Sequence, residues 1–338
     1  MASHILGGRQ TRRRREAPRI TALGGGQGLS ATLSALRRLT GELTAVVTVA
    51  DDGGSSGRLR AELGVLPPGD LRKALAALCG DDEWGRTWSE VIQHRFQSDG
   101  DLHGHAVGNL LIVALWEKLG DPVAALEYVG RLLGAHGRVL PMSAVPLDIE
   151  ATVRGLDPAY PDRVDTVRGQ AEVAVTPGEV ESVRLLPQDP PAVPEALAAV
   201  LEADWVVLGP GSWFTSVLPH LMVPQLRSAL VEARGRKVLA LNLVAQPGET
   251  EGFSPQRHLE VFQEHAPDLT VDFVLADREA VADPEALRGA AKRLGAELVL
   301  DNVAALDGIQ ATGRHDPELL AAAYDRIFRM HGRIAPWR

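Results

Sequence analysis

The chain has 338 residues, 45% of them hydrophobic, with 35 Lys and Arg against 44 Asp and Glu and a net charge of −9. That balance supplies a sizeable core and excludes a general nucleic-acid binder, so no DNA partner is expected, because affinity for a phosphate backbone needs a basic face. A single cysteine, Cys79, leaves no intrachain disulfide framework, and no apolar run reads as a bilayer span or a signal-peptide core, so a reducing, cytoplasmic setting is expected.

Residues 1–18 read as a polar, disordered leader in which the basic run Arg12 to Arg15 is solvated, the other reading being an RNA- or partner-binding arm. Ile20 to Leu23 is a short apolar strand that stops at Gly24-Gly25-Gly26-Gln27-Gly28, and Ala31 to Leu39 has helical apolar spacing. Glycines after such a strand let the backbone approach a phosphate, and the following helix N-terminus aims N–H donors at it. The match to a dinucleotide fingerprint is incomplete, because Gly24, Gly26 and Leu29 occupy its three positions. The other reading is a tight turn with no ligand.

Leu43 to Ala50 is apolar and β-branched on both faces, as a buried parallel strand should be. It ends in Asp51-Asp52-Gly53-Gly54-Ser55-Ser56-Gly57-Arg58. Adjacent carboxylates there can hold a divalent cation such as Mg2+, with Asp51 and Asp52 as its ligands, or accept ribose hydroxyls. The Gly/Ser stretch can wrap a phosphate and Arg58 can pair with it, or the stretch is a flexible polar loop. Pro67-Pro68-Gly69 presents Asp70 and Arg72 at a helix start, either to a ligand or simply as a capped helix covering Leu71 to Leu78. Cys79 beyond it reads as a small core residue.

Helices are expected at about 85–96, 105–119 and 121–134. His103 and His105 lack the partners of a zinc site. His105 and Asn109 read as hydrogen-bonding wall residues, the alternative being helix–sheet packing at Gly104 and Gly108. From about 139 to 187 the pattern alternates, as in Ile149 to Arg154 and Val180 to Arg184, and reads as an antiparallel insertion. The α/β pattern then returns. Trp205 to Leu208 ends at Gly209-Pro210-Gly211-Ser212, with Thr215 and Ser216 opening the next helix as another anion cradle. Ser212 lacks the nucleophile elbow of a hydrolase. Val238 to Leu243 leads to Asn242 and Gln246, Val271 to Leu275 to Asp277, and Leu298 to Asp301 is a further strand. Arg314-His315-Asp316 precedes the last helix, about Pro317 to Met330, and Arg314 faces a base or phosphate or is a surface cation. Strands alternating with helices imply a Rossmann-like α/β fold, a three-layer, mostly parallel sheet, as one domain over 19–330 with a tail at 331–338.

Taken together and in this order, these strings resemble the YvcK-type gluconeogenesis factors of the CofD/YvcK family from about residue 19 to 330. The strings are Thr21 to Leu29, Val47 to Arg60, Pro67 to Arg72, Gln93 to Phe96, Gly104 to Asn109, Gly209 to Ser212, Gln246 to Thr250 and Arg314 to Asp316. The resemblance implies a homodimer that binds UDP-N-acetylglucosamine or a related UDP-sugar. It also implies roles in gluconeogenic growth, cell shape and peptidoglycan supply, with cell-envelope regulatory partners. Related CofD enzymes transfer a phospholactyl-type group from a guanylylated donor to a deazaflavin precursor, with Mg2+ near a strand-end aspartate that Asp51 or Asp52 would match. CofD proteins typically lack the continuation Gly53 to Arg60 found here. No aromatic residue lies between Phe273 and Tyr324, so a uracil packed in that region rests on aliphatic side chains or on Arg278 or Arg314. Three readings remain open: a UDP-sugar-binding regulator, a CofD-like transferase, and an NAD-binding protein whose ribose acid is one of Asp51 and Asp52.

Overall fold

The computed structural model describes residues 17–330 apart from Pro247 and Ile309, so the expected tail and all but the last two residues of the expected leader lie outside the described residues. The first half of the chain forms β1 (Ile20–Gly24), α1 (Gly26–Leu36), β2 (Leu43–Val47), α2 (Gly54–Leu63), α3 (Pro68–Ala77), α4 (Glu83–Gln93), α5 (Val107–Leu119), α6 (Pro122–Leu133) and β3 (Arg138–Pro141). A second group holds β4 (Asp148–Arg154), β5 (Val164–Arg168), α7 (Gln170–Val173) and β6 (Glu179–Leu186). The remainder is α8 (Pro194–Glu202), β7 (Trp205–Leu208), α9 (Pro219–Met222), α10 (Pro224–Glu232), β8 (Arg236–Ala240), α11 (Pro255–His265), β9 (Phe273–Asp277), α12 (Pro284–Arg293), β10 (Glu297–Asp301), β11 (Ala304–Asp307), β12 (Gln310–His315) and α13 (Pro317–Arg329).

Seven strands make one parallel sheet in the order β10-β9-β8-β7-β1-β2-β3, flanked by helices. Its central strands are apolar on both faces because both are covered: β1 and β7 are buried along their whole length. The chain builds outward from β1 through β2 to β3, then returns to β7 on the other side of β1 and builds outward again. The order therefore reverses between β1 and β7, and the strand ends there splay a crevice open. Among the described residues no helix is long and apolar enough to cross a membrane.

The antiparallel insertion is real but begins later than the alternation indicated. Residues 139–141, grouped with it in the sequence, belong instead to the edge strand of the parallel sheet, where β3 pairs with β2. A four-residue strand is too short for its period to distinguish the two. The insertion proper is the three-stranded sheet β5-β4-β6. Ile149, Ala151 and Val153 of β4 are buried on one face, with Val180, Val183 and Leu185 of β6. The other face carries ion pairs such as Arg184–Glu150 and Arg154–Glu181. The strand expected over 43–50 stops at Val47, and the hairpin β11–β12 was not expected. Asp307-Gly308, with Gly308 at φ 62, is the turn signal that marks this hairpin.

Candidate functional site

Two strand ends at the switch point carry glycine turns, and each glycine has a physical reason. Gly26 sits at φ 60, a backbone conformation that side chains disfavour. Gly28 faces the second turn so closely that a Cβ there would lie 2.2 Å from the Pro210 carbonyl oxygen. Gly25 is the N-cap of α1, with no side chain capping the helix. A Cβ on it would meet Thr48 Oγ1 at 2.3 Å, Asp70 Oδ2 at 2.7 Å and Ser216 Oγ at 3.1 Å. The first turn of α1 therefore presents backbone N–H groups rather than side chains, the arrangement that favours an anion.

The turn after β7 is held in place from behind. Thr32 Oγ1 of α1 donates to Gly209 O at 3.1 Å. Asn242 grips the Gly211 backbone with both ends of its amide, accepting from Gly211 N and donating to Gly211 O at 2.8 Å each. Glu249, buried beneath, accepts from Ser212 Oγ, from Thr215 Oγ1 at 2.8 Å and from Phe214 N at 3.2 Å. Burial raises the Glu249 carboxyl above the usual carboxylate range, and its three donors oppose that. Residues 213–217 form a wide π-helical turn with Trp213 and Phe214 in the core.

These elements enclose a cavity of about 640 Å³. Gly25–Gly28 and Pro210–Ser212 line its base, and Asp51, Asp70 and Lys73 line one wall. Asn242, Gln246, Arg314 and His315 lie opposite, and the far end runs between α1, α3 and α4 past Ser34, Ser89 and Gln93. Lys73 Nζ donates to Asp70 Oδ1 at 2.9 Å. The Asp51 carboxyl is raised chiefly by burial and then by the neighbouring Asp70 charge, against the Gly53 N–H, the Ser56 hydroxyl and Lys73. His315 is pushed down to about 4 by burial, against Asp277 and the Leu241 backbone, so it is neutral at pH 7.

The structure brings together Gly25, Gly26, Gln27, Gly28, Asp51, Asp70, Gly211, Ser212, Asn242, Gln246 and Arg314 from the expected site. Gly24 and Gly209 support it from the strand ends, and Thr215 is a buried brace. Other expected residues are elsewhere. The expected metal pair is split: Asp51 faces the cavity, whereas Asp52 accepts from Ala171 N at 2.9 Å and ties the loop to α7. Adjacent residues in an extended loop point to opposite sides, so Asp51 finds its carboxylate neighbour in Asp70 instead. Gly54–Gly57 is the first turn of α2 rather than a wrapping loop, with Gly53 as its N-cap and Ser55 and Ser56 buried. Ser55 Oγ is engaged by His105 Nδ1 and by Asn109 Nδ2, each at 3.0 Å, away from the cavity. Arg58 donates to the Asp101 and His103 carbonyl oxygens. Arg72 is buried at 4% exposure and Arg278 donates to Leu300 O, neither lining the cavity.

Sequence reasoning missed Lys73 and Gln170, and it named Thr48, Gln93, Ser216 and His315 only within longer strings, without singling them out as site residues. Lys73 alone carried a signal, lying on Asp70's face one helical turn on. The Cys79 thiol is pushed up to about 11 by burial, as suits a core residue. Among the described residues no group of three or more His, Cys, Asp or Glu could hold a metal ion.

The model of a protein family, 2-phospho-L-lactate transferase CofD, matches residues 20–314. A putative gluconeogenesis factor of Mycobacterium tuberculosis is 56% identical over 311 residues, covering 91% of this chain and 90% of that protein. The gluconeogenesis factor of Bacillus subtilis is 36% identical over 268 residues, covering 79% of this chain and 81% of the relative. A crystal structure of a upf0052-family protein from Bacillus halodurans superposes with a TM-score of 0.81 at 32% identity, covering 91% of this chain and 99% of that one.

Proposed function

Since the chain belongs to the CofD family and sides with its gluconeogenesis factors, we propose that it is a UDP-sugar-binding regulator whose ligand is UDP-N-acetylglucosamine. One observation carries this reading: the glycine turn of α1 and the Pro210–Ser212 turn, far apart in the chain, line a single cavity that Lys73 and Arg314 also line. In this reading the diphosphate lies against the α1 N-terminus with Lys73 as counter-charge. Asp51, Asp70 and Ser216 accept or donate to sugar hydroxyls. Arg314, whose guanidinium has no hydrogen-bond or ion-pair partner among the described residues, packs against the base. The role is in gluconeogenic growth, cell shape and peptidoglycan supply, exerted by a cytoplasmic homodimer on cell-envelope partners.

Calorimetry with UDP-N-acetylglucosamine tests the ligand. Saturable heat that weakens at least about tenfold in Lys73→Ala is expected, since a charge-assisted hydrogen bond contributes about 1.5–3 kcal/mol. No heat at millimolar ligand with a folded sample would remove the reading. NAD added to the same titration should leave the UDP-sugar isotherm unchanged.

A second reading, a CofD-like transferase, is favoured by the Asp51–Asp70 pair. Two neighbouring carboxylates, Asp51 raised by burial and then by the Asp70 charge, with the Ser56 hydroxyl adjoining, form a hard-oxygen donor set that suits Mg2+. Such a cation would neutralise charge on a transferring phosphate. The chain's own part would be to orient the donor phosphate on the α1 N-terminus and hold it with Lys73. Incubation with a guanylylated donor, a deazaflavin acceptor and Mg2+ separates the readings: product that disappears in Asp51→Asn establishes the transferase.

A further inference from the structure

A shallow crevice between the starts of α2 and α5 ties its cations to its own backbone: Arg58 donates to the Asp101 and His103 carbonyl oxygens and Arg95 to Gly104 O. The end of the nucleotide cavity beyond β8 is built the other way. Two side chains that line it, Gln246 and His315, are each held from behind with one hydrogen-bonding group left over.

Asn242 sets the direction of Gln246. Its own amide is fixed by the Gly211 backbone, oxygen on Gly211 N and nitrogen on Gly211 O, so turning it round would oppose like groups. The same Asn242 Nδ2 donates to Gln246 Oε1 at 3.4 Å. That contact occupies the oxygen end of the Gln246 amide and leaves Nε2, a donor, with no partner among the described residues. The Gln246 backbone is anchored as well, its N donating to Thr250 Oγ1 and its O accepting from Thr250 N, each at 2.9 Å.

His315 is the complement. Its ring bonds to the backbone of Leu241. Leu241 N is already donated to Leu275 O, so the ring N–H meets the Leu241 carbonyl. Asp277 acts on the ring through its charge alone. Its oxygens accept from the backbone N–H groups of Glu279, Ala280, Val303 and Ala304, so it holds no second ring proton. A neutral imidazole that donates through one nitrogen accepts through the other. That second nitrogen has no partner among the described residues, and the half-buried ring lines the cavity. Acceptor and donor are thus anchored on consecutive residues, Leu241 and Asn242. Val244, apolar yet 56% exposed, lines the cavity beside them.

We infer that His315 and Gln246 form the base-reading edge of the cavity and select a lactam base, uracil or guanine, over cytosine or adenine. This deepens the UDP-sugar reading and rests on its placement of the base beside Arg314. An acceptor next to a donor suits a ring N–H next to a carbonyl, the edge formed by N3 and O4 of uracil or by N1 and O6 of guanine. Cytosine and adenine present the reverse, a bare ring nitrogen next to an amino group. Either would set lone pair against lone pair at His315 and N–H against N–H at Gln246, leaving both unpaired.

Calorimetry of the full chain with UDP, CDP, GDP and ADP tests this, because the diphosphate is common to all four. A preference of about tenfold or more for the lactam is expected within the pyrimidine pair or the purine pair, and the pair that shows it identifies the base. His315→Ala should bring that ratio to about one. Gln246→Glu keeps an oxygen toward Asn242 and replaces the donor by an acceptor, so it should invert the ratio. A merely structural role would weaken both members of a pair alike. Gln246 lies in a loop, so its variant carries the test where His315→Ala does not fold. Lactam preference in neither pair, or variants that weaken both members equally, overturns the inference. Saturable UDP binding without lactam preference leaves the UDP-sugar reading standing and removes this edge. GDP preferred over ADP with UDP unbound does the reverse, and no binding of any of the four removes both.

Discussion

The cavity at the β1–β7 switch and the crevice at the starts of α2 and α5 are made from the same alphabet of Gly, Ser, Asp, Asn and Arg, yet they are built in opposite ways. In the cavity, backbone N–H groups of α1 face the opening, and side chains such as Asn242 and Glu249 brace the turn from behind. In the crevice, the polar side chains are tied to one another or to nearby carbonyls: Ser55 to His105 and Asn109, and Arg58 to Asp101 and His103. The difference teaches that a polar cluster at a strand end marks a ligand site only when its donors are left facing an opening.

The largest effect should come from removing the close approach in the cavity. Gly28→Ala places a Cβ 2.2 Å from Pro210 O, so the two turns must part. A stability loss of about 2–3 kcal/mol is expected, with UDP-sugar binding abolished in calorimetry. Glu249→Ala deprives Ser212, Thr215 and the Phe214 N–H of their shared acceptor. Urea unfolding should show about 2–3 kcal/mol lost, consistent with unsatisfied buried donors, together with weaker ligand binding. An unchanged affinity would mean that the brace behind the turn is not what shapes the cradle.

Acid should distinguish the regions as well. His220, on α9 behind the cradle, shares a hydrogen bond between its Nε2 and Val46 O at 3.1 Å, and burial pushes it down to about 4. The unfolded chain binds its proton near pH 6.5 and the folded protein does not until about 4. Stability from this group is therefore full above the upper value and lost as pH falls toward the lower, by up to about 3 kcal/mol. Urea midpoints across that range should fall in the parent chain and flatten by one proton in His220→Gln.

On the crevice side, Ser55→Ala leaves Asn109 and His105 without their partner, at about 1–3 kcal/mol of stability, while UDP-sugar affinity stays unchanged. A tenfold loss of nucleotide binding there would merge the two regions into one site. Arg278→Ala, remote from both, should alter stability by less than about 0.5 kcal/mol and leave affinity unaffected.

Much of this protein could be read without coordinates. Buried parallel strands announce themselves as continuous apolar runs, as at Ile20 to Leu23 and Trp205 to Leu208, and the β4 and β6 alternation shows one buried face. The glycine turn of α1 was legible because only glycine suits φ 60 at Gly26. Local spacing sets these features, so a local reading finds them. Which clusters share an opening was decided by tertiary structure alone. β7 lies beside β1 only because the chain returns across the sheet. Asp51 faces Asp70 rather than Asp52 because consecutive side chains of an extended segment diverge. Ser55, His105 and Asn109 looked like ligand groups until the fold joined α2 to α5. Hydrogen-bond partners distant in sequence leave no periodic trace in it, and at this sheet edge those partners separate a binding group from a brace.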